Sequence, residues 1–375
     1  MNFDPNIKAR LVYDGGDKVF IPPEMGTPRE DQMQGTVHEQ LSELCGRVCY
    51  DSLGSGRNSG DYHEHLLEVK HGSVYEHPHL TVEIVDRKSD YQMETLISLL
   101  NRPSLVVIPT NDGALYHTRV TFNYRHLLDW DRWTERNVGK AMYNKDKYTH
   151  DALLATAYTR SPAIVDHIPF KTKTSARFGD AVEPKYDTEK WITLFLSGSR
   201  GFSHEQVRHR FNISQRSTRY VDESESPWVE HPLISKYLQD ETVPAENRSH
   251  LDGQAGTLIG SARAMYDVTV ETLQPYLISK GVDKFTARKQ ARGAARGYLG
   301  NALLTEMMFS ASVADWKDML RQRYSNPADA EIRVLYSQCL PALKESRYAN
   351  SFAEFEIEDA KDGIGTVLKE CSHGK

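Results

Sequence analysis

Residues 206–220 read Gln206-Val207-Arg208-His209-Arg210-Phe211-Asn212-Ile213-Ser214-Gln215-Arg216-Ser217-Thr218-Arg219-Tyr220. Four arginines, one histidine and two serines fall within the twelve positions 208–219. Arginine makes forked, bidentate contacts to phosphate and carboxylate. Such density in a chain of net charge −6 points to an anion site, with phosphate the first candidate. The alternative is a basic turn laced by surface ion pairs.

The surrounding composition is that of a globular protein. With 375 residues the chain has the length of two domains, or of one domain with a large insertion. Its 39% hydrophobic and 26% charged residues supply a sizeable core. An acidic balance, with pI about 6.2, argues against bulk nucleic-acid or membrane-surface binding. No apolar run approaches the roughly 20 residues of a bilayer span. The start, Met1-Asn2-Phe3-Asp4-Pro5, lacks a signal-peptide pattern. Cys45, Cys49, Cys339 and Cys371 are too scattered for a disulfide framework and are expected to be buried free thiols. A cytoplasmic location is the expectation.

Along the chain, residues 1–35 predict an irregular arm with a short strand at Arg10–Tyr13. Residues 36–50 place Val37, Leu41, Leu44, Cys45 and Val48 at helical spacing, and a second helix is expected over about 61–70. Leu80–Val85 alternates as a half-buried strand. Residues 90–185 predict a helix at Tyr91–Asn101, a strand at Leu105–Pro109 and an Asp112-Gly113 turn. Lys190–Leu196 reads as a strand running into a helix that carries the arginine stretch. From Asp252 helices are expected at about 256–279, 284–299, 304–323 and 327–346, and the last dozen residues look frayed.

Three further clusters stand out. His71-Gly72-Ser73-Val74-Tyr75-Glu76-His77-Pro78-His79, with His63 and His65 upstream, invites a metal reading, but no His-Glu-x-x-His helix is present. Histidines that hold a turn, or that contact a cofactor, fit the spacing better. Arg288, Arg292 and Arg296 recur every four residues and so line one helical face, either as a solvated stripe or as a binding edge. Arg321 and Arg323 precede Pro327, which is expected to open the next helix. The chain has no dinucleotide fingerprint, no P-loop, no Gly-x-Ser-x-Gly elbow and no cysteine paired with a histidine. An enzyme acting on a phosphorylated substrate would then need a cofactor for the bond-making.

These motifs resemble the flavin-dependent thymidylate synthases. That family carries Arg-His-Arg, about seven residues, Ser, then x-Arg-Tyr; here Arg208-His209-Arg210 is followed by Ser217, Arg219 and Tyr220. Its His-x-x-x-x-Glu-His element is similar to His71 through Glu76-His77. Its later elements are similar to Ala295-Arg296-Gly297-Tyr298-Leu299 and to Arg323 through Ala328 and Glu331. The resemblance implies an α+β fold with a central, mostly antiparallel sheet, flanking helices and a helical C-terminal half. It implies one domain over residues 1–350 with an insertion at about 90–185, and a C-terminal extension over 351–375. It further implies a homotetramer that binds FAD, oxidises NADPH and converts dUMP to dTMP with methylene-tetrahydrofolate.

By the same resemblance, His71, Ser73, Glu76, Arg208, His209 and Arg210 contact FAD. Glu205, Gln215, Arg216, Ser217, Arg219, Tyr220, Arg296 and Arg323 hold the nucleotide, with Ser217 and Arg219 at the reacting ring. The chain departs from the family in several places. Six residues, one fewer than usual, separate Arg210 from Ser217, and Glu205 stands where many members carry Gln. Leu-Pro has become Leu299-Gly300, and the family's Asn-x-Arg reads Ser312-Val313-Ala314. Asn123-Tyr124-Arg125, inside the insertion, looks like that missing segment and is expected to serve the flavin or folate site. The departures leave two other readings open: another pyrimidine nucleotide such as UMP, or hydroxymethyl transfer. A nucleotide- or RNA-binding protein without flavin is the reading from a different class.

Overall fold

The computed structural model describes residues 3–87, 106–111, 115–129, 153, 156–166 and 179–369. Strand β1 (Lys8–Tyr13) leads to helices α1 (Val37–Tyr50) and α2 (Ser59–Glu68), then to β2 (His79–Arg87). Strands β3 (Val106–Asn111) and β4 (Leu115–Asn123) follow, then helices α3 (Tyr124–Leu128) and α4 (Pro162–Val165) and strand β5 (Gly179–Ala181). Strand β6 (Trp191–Ser199) enters α5 (Arg200–Gln206), and β7 (Asn212–Gln215) comes next. The remainder comprises α6 (Pro232–Gln239), α7 (Ala245–Ser279), α8 (Lys284–Ala295), β8 (Leu304–Ser312), α9 (Val313–Arg323), α10 (Ala330–Lys344), β9 (Ile357–Asp359) and β10 (Thr366–Leu368). The architecture is α+β, as expected.

The main sheet has the order β1-β6-β8-β7 with every neighbouring pair antiparallel. Its central pair runs in register from Trp191 opposite Ser312 to Ser199 opposite Leu304. Because alternate residues of a strand face opposite sides, Phe195 and Met308 pack with α1 in one core. Leu194, Leu196, Met307 and Phe309 pack with α9 and α10 in the other. A strand buried on both faces reads as an unbroken apolar run. For that reason the helix expected over 304–323 is corrected to a strand through Ser312 followed by a helix from Val313. Ser312 ends the strand by capping that helix: its hydroxyl accepts from Asp315 N at 3.1 Å.

The second sheet, β3-β4-β2-β5, is also antiparallel, and three of its strands lie within residues 90–185. Leu80, Val82, Val120 and Phe122 share a core with α1, so the two sheets are joined through that helix. The helix expected at Tyr91–Asn101 and the Asp112-Gly113 turn lie outside the described residues.

Other boundaries shift for identifiable reasons. The long helix begins at Ala245, directly after Pro244, rather than near 256. The next helix ends at Ala295 and tightens into a 3-10 turn at Arg296–Tyr298. The last helix is capped by Asp329, which accepts from Glu331 N at 2.9 Å; Pro327 lies in the preceding turn. The expected frayed end starts too early, because β9 and β10 form a hairpin with Val367 and Ile364 buried. Among the described residues no helix is long and apolar enough to cross a membrane.

Candidate active site

The expected strand does run into a helix, but that helix ends at Gln206, so the expectation that it carries the arginine stretch is corrected. Ser199 caps α5, its hydroxyl accepting from Phe202 N at 3.2 Å, while Glu331 accepts from Ser199 N at 2.7 Å and from its hydroxyl at 2.6 Å. The chain then tightens into a 3-10 turn at Val207–His209, and Arg210 takes a left-handed conformation with φ 57°. That conformation is uncommon for a residue with a side chain and reverses the chain into β7. The stretch therefore divides into two groups at opposite ends of a four-residue strand.

In the first group Arg323 joins the end of α9 to the motif. It donates to His209 Nε2 at 2.9 Å and to Glu205 at 3.0 Å. The Glu205 carboxylate is thus matched by a guanidinium. Burial, with the Arg323 charge beside it, pushes the His209 imidazolium pKa down. Arg208 and Arg210 are exposed, and among the described residues neither forms an ion pair.

The second group forms where the stretch meets α1 and α8. Ser217 N donates to the Cys49 carbonyl at 3.0 Å, docking the turn on the last residues of α1. Arg292 donates to Tyr220 O at 2.6 Å and to Asp222 at 2.5 Å. Arg296 reaches the Thr218 hydroxyl at 3.4 Å, and a Cβ added to Gly293 would lie 3.8 Å from Arg219 Cγ. Arg200 joins this group: burial lowers its pKa, and the Arg296 charge lowers it further. Among the described residues Arg200, Arg219 and Arg296 have no carboxylate partner within ion-pair distance. Guanidinium groups without an ion-pair partner, two of them repelling each other against the pull of Glu223, favour an anion.

Two candidates are engaged elsewhere. Arg216 lies among Asp51 at 3.2 Å, Glu306 at 3.3 Å and Glu223 at 3.6 Å, so its charge is already matched. The Gln215 amide nitrogen donates to Ser203 and Thr305 hydroxyls, both at 3.1 Å. The structure thus separates these two from the unpaired arginines.

The histidine-rich turn lies along β7. Asn212 Nδ2 donates to Glu76 O at 2.7 Å near one end of the turn. At the other end the Tyr50 ring bridges His71, at 5.4 Å, and Tyr220, at 5.0 Å. Ser73 and Tyr50 hydroxyls approach the two nitrogens of His71 at 3.3 and 3.4 Å. His77 is structural: its nitrogens meet Ser310 Oγ at 2.7 Å and Ser214 Oγ at 2.9 Å, and burial drops its pKa to about 3.

Arg125 also arrives at this turn. A Cβ on Gly72 would fall 1.5 Å from Arg125 Nη1, so the glycine makes room for the guanidinium between His71 and Ser73. Arg125 also pairs with Asp129, and its charge lowers the His71 pKa after burial, the larger cause. Asn123 caps α3, its side chain accepting from His126 N at 3.1 Å, and it is buried.

Burial raises the Glu76 pKa from 4.5 to about 7, with Arg125 opposing the rise and Asp129 adding to it. A carboxyl raised in the folded state favours folding below pH 4.5 and loses that contribution as pH climbs through about 7. In flavin-free protein, Glu76→Gln should therefore raise stability at pH 8 by about 1–3 kcal/mol and leave it unchanged at pH 4. Urea unfolding at the two pH values measures this; equal effects at both would contradict it.

Signals for Arg200 and Tyr50 were absent from the motifs, because each enters the site only through the tertiary contacts above. The described cysteines offer no nucleophile. Cys45, Cys49 and Cys339 are buried and free, and burial raises the Cys49 thiol to about 12.

Comparison with known proteins bears out the resemblance. Residues 191–346 match the family model described as thymidylate synthase complementing protein. A flavin-dependent thymidylate synthase of Mycobacterium sp. (strain KMS) is 34% identical over 177 residues, covering 46% of this chain and 65% of that protein. Those of Mycobacterium avium (strain 104) and Mycobacterium marinum are 33% and 36% identical over 177 and 174 residues, each match covering 46% of this chain and 64% of the relative. The chain thus spans just under two thirds of the length of the curated relatives it matches.

Proposed function

We propose that this chain, which resembles the flavin-dependent thymidylate synthases, converts dUMP to dTMP with methylene-tetrahydrofolate, reduced FAD and NADPH as reductant. The observation that carries the reading is the group of unpaired arginines, Arg200, Arg219 and Arg296, around Thr218. Arg–phosphate forks at Arg219 and Arg296 would hold the nucleotide, relieving the repulsion among them. Ser217, fixed to Cys49 O, would lie at the pyrimidine with Arg219. The positive charge gathered around the site would favour an enolate-like oxygen there.

The residues present suit a dinucleotide cofactor. Arg208 and Arg210, exposed without carboxylate partners among the described residues, fit a pyrophosphate, and His71, Ser73 and Glu76 with Arg125 form a second polar cluster. When bound, FAD supplies the hydride chemistry that protein side chains lack, and the cysteines among the described residues are buried. Positioning is then the protein's contribution.

A subunit partner is part of the proposal. Leu251, Leu258 and Met265 of α7 recur every seven residues and are exposed, Leu258 to 68%. Burying that stripe in a homotetramer would give it a partner. Buried free thiols favour a reducing, cytoplasmic setting.

Two measurements test the reading. The purified protein should be yellow, with oxidised-flavin absorbance; a colourless protein that cannot be loaded with FAD would support the flavin-free binding reading. Tritium release from carbon-5-labelled dUMP should exceed that from UMP. Preference for UMP would assign the shortened Arg210–Ser217 loop to another pyrimidine nucleotide.

A further inference from the structure

A cavity of about 870 Å³ opens outside the site just described, and no residue assigned to flavin or nucleotide lines it. Its volume falls in the range of small-molecule pockets. Its walls come from the end of β1 and the following loop, the start of α1, the start of β2, residues 181–184, Trp191 and Arg347-Tyr348. It therefore lies where the main sheet meets the second sheet.

The chemistry of the walls is specific. Tyr13, Phe20, Trp191 and Tyr348 contribute aromatic surface. The Trp191 ring stacks on His79 at 3.6 Å and 6°. Trp191 is 6% exposed, and among the described residues neither its Nε1 nor the Tyr348 hydroxyl has a hydrogen-bond partner. Buried indole N–H and phenol groups ordinarily find one.

Charge selects among ligands. Among the described residues Lys18 and Arg160 form no ion pair, and both line the cavity. Two of the four lining carboxylates are matched: Glu183 pairs with Arg347 at 3.1 Å and Glu189 is held by Arg119 at 2.7 Å. Asp14 accepts from the backbone N–H groups of Arg347, at 2.7 Å, and Gly16, at 3.2 Å. Among the described residues Asp14 and Asp17 form no ion pair, so Arg160 and Lys18 are the cations left to an anionic ligand.

We propose that this cavity is a second binding site, for a nucleoside phosphate, with the ring among the aromatic walls and the phosphate toward Arg160 and Lys18. The Trp191 and Tyr348 groups would meet polar ring atoms after small side-chain rotations. The proposal does not rest on methyl transfer, so a chain inactive on dUMP could still carry this site.

The test uses the full-length protein with Arg219→Ala and Arg296→Ala, which removes the other proposed phosphate contacts. Calorimetric titration with AMP, GMP, CMP and dTMP should show one molecule bound per chain for at least one of them. Arg160→Ala should weaken that binding at least tenfold. Trp191→Phe and Tyr348→Phe, which keep ring and packing, should each weaken it severalfold. Inorganic phosphate should bind at least tenfold more weakly than the nucleotide. The proposal is overturned if none of the four binds, if Arg160→Ala leaves binding unchanged, or if phosphate alone binds as tightly.

Discussion

Replacing Arg47 with alanine should lower the unfolding free energy by about 3–5 kcal/mol, the range for removing one partner of a buried ion pair. Arg47 and Glu43 are both fully buried, with a guanidinium nitrogen 2.6 Å from the carboxylate. The remaining guanidinium hydrogens are engaged as well. They donate to Ser52 O at 2.9 Å, Ser55 O at 3.3 Å and Arg57 O at 2.8 Å, and the group lies 4.4 Å from the Tyr62 ring centroid. Alanine would leave the Glu43 charge unpaired and remove one of the donors to each of three carbonyls.

The loss should also reach the site. The loop held by Arg47 follows Cys49, whose carbonyl receives Ser217 N, and includes Asp51, which pairs with Arg216. Nucleotide affinity should therefore fall along with stability. Guanidinium unfolding and nucleotide titration of the same variant check both. A stability loss below about 1 kcal/mol would place this pair with exposed ion pairs and contradict the argument.

Arg219→Ala should weaken nucleotide binding by about 2–4 kcal/mol, or roughly 30- to 1000-fold, while flavin retention changes little. Arg219 has no carboxylate partner among the described residues, so its charge is available to the ligand. Unfolding stability should stay near wild type, since an exposed, unpaired side chain contributes little to folding. Arg208→Ala should show the opposite pattern, with flavin lost first. Loss of flavin from Arg219→Ala with unchanged nucleotide affinity would reverse the assignment of the two halves of the motif.

Several features were legible because they are local. Thr36 and Glu39 form the reciprocal cap that starts α1, and the apolar spacing from Val37 to Val48 carries it to Tyr50. Alternation at Leu80–Val85 marked β2 correctly. Spacing of four placed Arg292 and Arg296 together, and both do meet the turn at Thr218–Tyr220. The strand at 304–312 was not legible, because burial on both faces erases the alternation that distinguishes a strand from a helix.

The amino-acid order by itself determined which residues could bind an anion, the α+β character, and the likeness of residues 191–346 to a known family. Tertiary structure decided which arginines remain available. Arg216 and Gln215 sit inside the motif yet are engaged by Asp51, Glu306, Ser203 and Thr305. Arg200 and Arg125 lie outside it yet reach its two polar clusters. Partners that match a charge come from distant parts of the chain, so spacing reveals where charge is concentrated but only packing determines where it stays unmatched.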